Sequence, residues 1–288
     1  MSVGEGPPPE VGALAGDASE DGLSVPGAVE AAAPLPVVYR DPWLVVVLKP
    51  PRMAVHRSPL TPTGPFVLQS LRRQLRQSVY PAHRLDRATR GLLVLALDPE
   101  TQRRLQQAFA ERAVHKTYEA LVRGWPPEAL VLDAELPGHR GALGPAVTRV
   151  RRLARTLLPW PVGRWPTARY AWVQAEPETG RHHQIRRHLA HANFPVVGDR
   201  THGDNRHNRL LAEKLGRDHL WLRAVGLRFA HPHTGAPLTF SAPPDAEVEA
   251  VRAALGLLDD AVETSAQTPR GDQASQGDQA PPGAQAQR

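Results

Sequence analysis

The densest run of chemically capable residues is His83-Arg84-Leu85-Asp86-Arg87-Ala88-Thr89-Arg90-Gly91, a single carboxylate among arginines directly ahead of an apolar stretch. Positive charge at Arg84 and Arg87 favours the ionised form of Asp86. A loop entering a rigid core strand is also a good place to fix a reacting group. The plainer reading is a solvated Asp in an ordinary ion pair, and spacing alone does not separate the two.

A second cluster runs from Glu178 to His191, Glu-Thr-Gly-Arg-His-His-Gln-Ile-Arg-Arg-His-Leu-Ala-His. On a helix, Arg181, Gln184, His188 and His191 share one side and offer a face for a phosphate or a base edge. The same histidines could be read as metal ligands. However, the i, i+3 pair His188 and His191 lacks the i, i+4 spacing of a helical zinc pair, and no His-Glu-x-x-His is present. No metal is expected. Smaller pieces are Lys49-Pro50, Val55-His56 and Lys116-x-Tyr118. Arg149, Arg151, Arg152 and Arg155 on one strand read as a phosphate track. There is no GxGxxG fingerprint, Walker A loop or Gly-x-Ser-x-Gly elbow.

Charge supports an anionic partner. The chain of 288 residues is +6 overall, but residues 37–245 hold 32 Lys and Arg against 16 Asp and Glu, a net +16 between two acidic ends. Thirty-two of the 35 bases are arginine, whose planar fork binds oxyanions bidentately. The absence of cysteine excludes disulfides, a thiolate nucleophile and Cys-ligated metal. No apolar run approaches the ~20 residues of a membrane span, and the N-terminus lacks the pattern of a signal peptide. A cytoplasmic protein with no membrane partner is expected.

Residues 1–36 and 259–288 are rich in Gly, Pro, Ala, Gln and acids and are expected to be disordered tails. The folded domain is expected at 37–258. Within it, 37–40 and 43–49 read as a hairpin about Asp41-Pro42, and 67–79 as a helix. Residues 91–98 read as a buried strand, followed by a helix capped by Asp98-Pro99. Strands are expected at 116–123, 146–153, 169–176 and 221–229, and helices at 180–192 and 244–258. Strands and helices do not alternate strictly, which predicts an α+β fold.

Taken together, Lys49-Pro50…Val55-His56, His83-Arg84-Leu85-Asp86-x-x-Thr89-x-Gly91, Lys116-x-Tyr118 and Thr179-Gly180-Arg181-x-His183-Gln184-Ile185-Arg186-x-His188-Leu189 resemble the ordered motifs of the RluA-type pseudouridine synthases. The stretches Val162-Gly163-Arg164-Trp165-Pro166 and Gly198-Asp199-x-x-His202-Gly203-Asp204 are similar to the branch that modifies uridine 65 of transfer RNA. The resemblance implies a mixed, mostly antiparallel sheet with flanking helices and a central cleft. It implies Asp86 as the catalytic aspartate, Tyr118 as the active-site aromatic, and Arg181 as the base paired with Asp86. Ile185 would pack beside the target base, and Arg84, His83, Lys49, His56, Arg186 and His188 would bind substrate. RNA, most specifically tRNA, would be the partner of a monomer that uses no cofactor. Arg90 departs from the serine common at that position, which puts the loop's hydrogen bonding in question. The alternatives are a ribosomal RNA pseudouridine synthase, a non-catalytic RNA-binding protein and a histidine-liganded phosphodiesterase.

Overall fold

A computed structural model describes residues 33–57, 63–138, 141–243 and 245–257. The acidic tails expected at 1–36 and 259–288 fall almost wholly outside them. Residues 33–36 are the exception, and Leu35 is the one among them that is buried. It is 2% exposed in the core, and its backbone exchanges two hydrogen bonds with the Gln74 amide at 2.8 and 2.9 Å, so Leu35 is part of the packed domain.

In chain order the elements are β1 (Val37–Arg40), β2 (Leu44–Lys49), α1 (Val67–Leu75), β3 (Tyr80–Pro81), β4 (Arg90–Ala96), α2 (Pro99–Ala110), β5 (His115–Arg123) and β6 (Ala129–Pro137). They continue with β7 (Leu143–Leu158), β8 (Ala168–Pro177), α3 (Gln184–His191), α4 (Asn205–Leu215), β9 (Leu222–Ala230), β10 (Pro237–Ser241) and α5 (Ala246–Leu255). One mixed sheet runs β1-β2-β4-β9-β5-β8-β7-β6, with β10 beside β9 and β3 beside β4. All its named pairings are antiparallel except β4 with β9. The fold is α+β, as expected.

Local chemistry accounts for the elements that carry the site. Asp41 Oδ1 accepts the Trp43 and Leu44 N–H groups at 2.7 and 2.8 Å, turning β1 into β2. Both faces of β2 and β4 are covered. Val45, Val47, Leu93 and Leu95 pack on α1 residues Val67 and Leu71, while Leu44, Val46, Leu92 and Val94 pack with Leu105 of α2. That explains why these strands read as continuous apolar runs. Truncating a residue such as Leu71 to Ala would cost about 2–5 kcal/mol. Asp98 caps α2 by accepting the Thr101 N–H at 2.8 Å, with Pro99 at the first helical position.

The parallel junction between β4 and β9 joins Gly91 to Ala224 at mid-sheet. Gly91 takes φ +111°, and a Cβ there would run into the Ala224 backbone. Only glycine allows the two strands to meet here, and the loop carrying Asp86 ends on this junction. One strand further on, the β5–β9 register shifts between Thr117 and Tyr118, leaving Val225 of β9 unmatched. A bulge of this kind re-aims the neighbouring side chain, and that side chain is Tyr118. Among the described residues, no helix is long and apolar enough to cross a membrane.

Candidate active site

The Asp86 loop is fastened from beneath. Lys49, at the end of β2 and 1% exposed, donates through Nζ to the carbonyls of Pro50 (2.9 Å), Met53 (2.7 Å) and Arg87 (3.1 Å). Burial pulls its pKa down to about 7, with the Asp86 charge opposing. Leu85 points into the core. His83 stacks on Phe109 at 4.4 Å, and its Nε2 accepts the Val94 N–H at 3.2 Å. Burial, helped by the Lys116 charge, lowers its pKa to about 3, so the imidazole is neutral as that acceptor role requires. Between these anchors the Asp86 carbonyl accepts the Thr89 N–H at 3.1 Å, which closes the turn.

From across the cleft, Arg186 of α3 reaches Asp86 Oδ2 through Nη1 at 3.1 Å. Its Nε and Nη2 form a two-pronged pair with Asp199 at 2.7 and 2.8 Å. Burial works against the guanidinium charge, but Asp199 and Asp86 outweigh it and hold the pKa above the usual value. Asp199 Oδ1 also accepts the Thr201 and His202 N–H groups at 2.9 and 3.0 Å. Burial would raise the pKa of Asp199, yet these hydrogen bonds and the arginine charge bring it below the normal range.

His183 Nε2 stands 3.6 Å from the same Asp86 oxygen. Burial drops its pKa to about 4 despite the carboxylate, so near neutral pH it is an uncharged neighbour. Its ring stacks on His182 at 3.8 Å and its Nδ1 meets His202 Nε2 at 3.0 Å. The formal charge paired with Asp86 therefore comes from Arg186. Asp86 Oδ1 has no hydrogen-bond partner among the described residues, which leaves one oxygen free to react.

Asp86 lies in an open cleft of about 550 Å³. Tyr118, Ile185 and Leu222 supply apolar wall, and Arg84, Arg112 and Arg181 line the same space. Burial first, and then the Asp86 charge, push the Tyr118 phenol well above its ordinary pKa, so it stays protonated. Lys116 Nζ donates to the Thr179 carbonyl at 3.0 Å and ties β5 to the loop before α3.

The structure brings Asp86, Tyr118, Ile185, Arg84, His83, Arg181 and Arg186 to one cleft, and it revises the roles read for several residues. Arg181 is not on α3 at all. His183 adopts φ +55° and stops the helix at Gln184. The Arg181 guanidinium lies against Gly138 and Gly144, with Nε 3.4 Å from the Pro145 carbonyl, so Asp86 is paired with Arg186 instead. His188 is 1% exposed, with Nδ1 at 3.0 Å from the Thr148 hydroxyl; it packs α3 onto β7 and is not among the residues lining the cleft. Lys49 is buried, holds the loop through three carbonyls and is not among the residues lining the cleft. His56 is exposed and is not among the residues lining the cleft. Gln184 is also internal: its carbonyl oxygen accepts from the Thr179 hydroxyl (2.7 Å) and the Arg181 N–H (2.9 Å), and its amide donates to the Val147 carbonyl (2.9 Å) and the Thr148 hydroxyl (3.0 Å).

Arg90 leaves the Asp86 loop alone. It pairs with Glu247 of α5 at 2.5 Å and lies over Trp221 at 5.2 Å. On β7, Arg149, Arg151 and Arg155 are exposed, with nearest partners Glu178, Gln174 and the Trp125 ring. Asp199 and His202 sat in a recognised stretch without a role. The signal for Asp199 was an acid followed by a Thr-His-Gly turn, the pattern of a carboxylate that collects backbone N–H groups.

The family model described as RNA pseudouridylate synthase matches residues 43–191. The tRNA pseudouridine synthase C of Salmonella typhimurium is 45% identical over 220 residues, covering 72% of this chain and 85% of that protein. That of Vibrio cholerae is also 45% identical, covering 72% and 90%. Among solved structures, human RNA pseudouridylate synthase domain containing 1 superposes with a TM-score of 0.62 over 86% of this chain and 100% of the other. At 24% identity it is a likeness of fold alone. With the family model spanning half its length and these relatives matched over most of theirs, the chain belongs to the RNA pseudouridylate synthase family.

Proposed function

We propose that this chain converts uridine 65 of transfer RNA to pseudouridine in the cytoplasm, with Asp86 acting at the sugar. One observation carries the reading: a single carboxylate with one oxygen held by Arg186 at 3.1 Å and the other open to the cleft, beside Tyr118. The reaction breaks the N1–C1′ bond, turns the freed uracil and joins C5 to C1′. The C5 proton is lost and N1 gains one, so nothing is oxidised or reduced. A carboxylate beside C1′ can attack that carbon or take a proton from the adjoining sugar carbon, and either role uses the open oxygen.

Arg186 holds the anion in place without covering it. Ile185 offers an apolar wall for the uracil, and Tyr118 a surface on which to stack. Because Tyr118 stays protonated, it serves the C5 step as a hydrogen-bonding phenol that relays a proton rather than as a standing phenolate. A paired uridine must first leave its stack, at about a few kcal/mol. Phosphate contacts from Arg84, Arg112 and Arg181 at the cleft offset part of that cost. The relatives named tRNA pseudouridine synthase C support tRNA as the substrate. Incubating the protein with unmodified tRNA and mapping pseudouridine by carbodiimide stops should give one stop, at position 65. Modification of ribosomal RNA alone would overturn the substrate, and no pseudouridine in either RNA would overturn the reaction.

A further inference from the structure

The turn between β7 and β8 holds an aromatic side chain out in water. Val162 and Trp165 close it with two backbone hydrogen bonds, Val162 N–H to Trp165 O at 2.9 Å and Trp165 N–H to Val162 O at 3.1 Å. Gly163 takes φ +58° between them. Trp165 is 59% exposed, whereas Trp172 and Trp221 are each 2% exposed. A tryptophan left outside forgoes a large gain from burial, and the closed turn fixes the backbone from which the ring projects.

Its surroundings are cationic. The Arg164 guanidinium lies over the indole at 4.8 Å from the ring centroid. Arg206, in the first turn of α4, comes so near Gly163 that a Cβ there would meet its Nη1 at 3.2 Å. Among the described residues neither Arg164 nor Arg206 has a carboxylate at ion-pair distance, and Asp204, the nearby acid, already pairs with Arg123 at 2.7 Å. Two adjoining depressions share Arg123, Asp204 and Arg206. One reaches Arg164 and Trp165, the other His202. His202 meets His183, which stands 3.6 Å from Asp86, so side-chain contacts link the depression at His202 to the carboxylate of the cleft.

We propose that Trp165, with Arg164 and Arg206, forms a second RNA-docking site, at which an unpaired base stacks on the indole and neighbouring phosphates meet the two guanidiniums. This rests on the reading of the substrate as tRNA. A stem offers phosphates but no free base face, so the aromatic selects a loop or an unpaired end, while the arginines contact its backbone. The site sets which RNA is held while a distant uridine reacts.

Steady-state tritium release and equilibrium binding, both with full-length tRNA, test this on the whole protein. Trp165→Ala should raise KM and Kd about tenfold, the loss of one base–aromatic stack, and Trp165→Phe should recover most of it. Arg206→Gln should lower by about one the slope of log K against log salt, a readout that a purely structural role leaves alone. Arg103→Gln, whose partner Glu100 lies on the outer surface of α2, should match wild type throughout. Wild-type KM, Kd and salt slope in both Trp165→Ala and Arg206→Gln would overturn the docking site while leaving the reaction standing. A wild-type protein that binds tRNA but releases no tritium would overturn the reaction, with the docking site then decided by Kd and salt slope alone.

Discussion

Arg186 grips two carboxylates, and the two ends of that grip are built differently. At one end Asp199 has no exposed side-chain surface, meets the guanidinium with both oxygens and gathers two backbone N–H groups besides. At the other, Asp86 keeps 22% of its side-chain surface, accepts one arginine hydrogen bond at 3.1 Å and leaves an oxygen open. A saturated acid is fixed and inert. A half-satisfied one beside a cleft is held in place and still able to react. The same arginine makes both because its fork has donors to spare: Asp199 aims it, and it aims Asp86.

Arg186→Gln attacks both ends and should have the largest combined effect on stability and rate. It leaves Asp199 buried without its charge partner, so about 3–5 kcal/mol of stability should go, and tritium release should fall about 10³-fold in whatever remains folded. Full activity in that variant would show that Asp86 needs no partner. Tyr118→Phe removes the phenol but keeps the ring. Turnover should drop about 10²-fold with KM for tRNA little changed, since stacking survives and proton relay does not. Because burial and the Asp86 charge push that phenol up, the wild-type pH–rate profile should show no Tyr118 inflection up to about pH 10.

Asp199→Asn should cost about tenfold in rate through misplacement of Arg186, and its clearer mark is in stability against pH. The folded-state pKa of Asp199 lies below its unfolded value of about 3.9. Its contribution is therefore complete above about pH 4 and is lost as pH falls through the folded value. Urea melts taken from pH 7 to pH 3 should show wild type weakening at the acid end and the variant less so. An identical acid slope in both would remove Asp199 from the anchoring role. The smallest effect is expected of Lys49→Met. Losing three carbonyl contacts should cost about 2 kcal/mol of stability and less than tenfold in rate, because Leu85 and His83 still hold the loop.

The half of the sheet around β2, β4 and α2 was legible because each signal there is local: an Asp turn, continuous apolar strands, an Asp-Pro cap. β6, β10 and α4 were not read. β6 exists as the partner of β7, with Leu136 its one fully buried residue, and α4 likewise buries only Leu211. At the site, Asp86 and Tyr118 stood out through motif and neighbours. The family resemblance implies Arg181 as the partner of Asp86, while a helix from 180 to 192 would only place Arg181 on one side with Gln184, His188 and His191. The left-handed turn at His183 delays the helix to Gln184. A positive φ at a histidine leaves no mark in composition or periodicity. The roles of Asp199 and His202 depend on contacts with residues far along the chain, which spacing does not reveal.

The central claim is that the open carboxylate is the one that reacts, and Asp86→Asn tests it most directly. The substitution keeps the shape and an oxygen for Arg186 to hold while removing the charge, and a circular-dichroism melt establishes that the variant folds. Single-turnover tritium release from [5-³H]uridine tRNA should then be undetectable in Asp86→Asn, yet measurable in Asp199→Asn. Tritium release by Asp86→Asn at a rate near wild type would contradict the account.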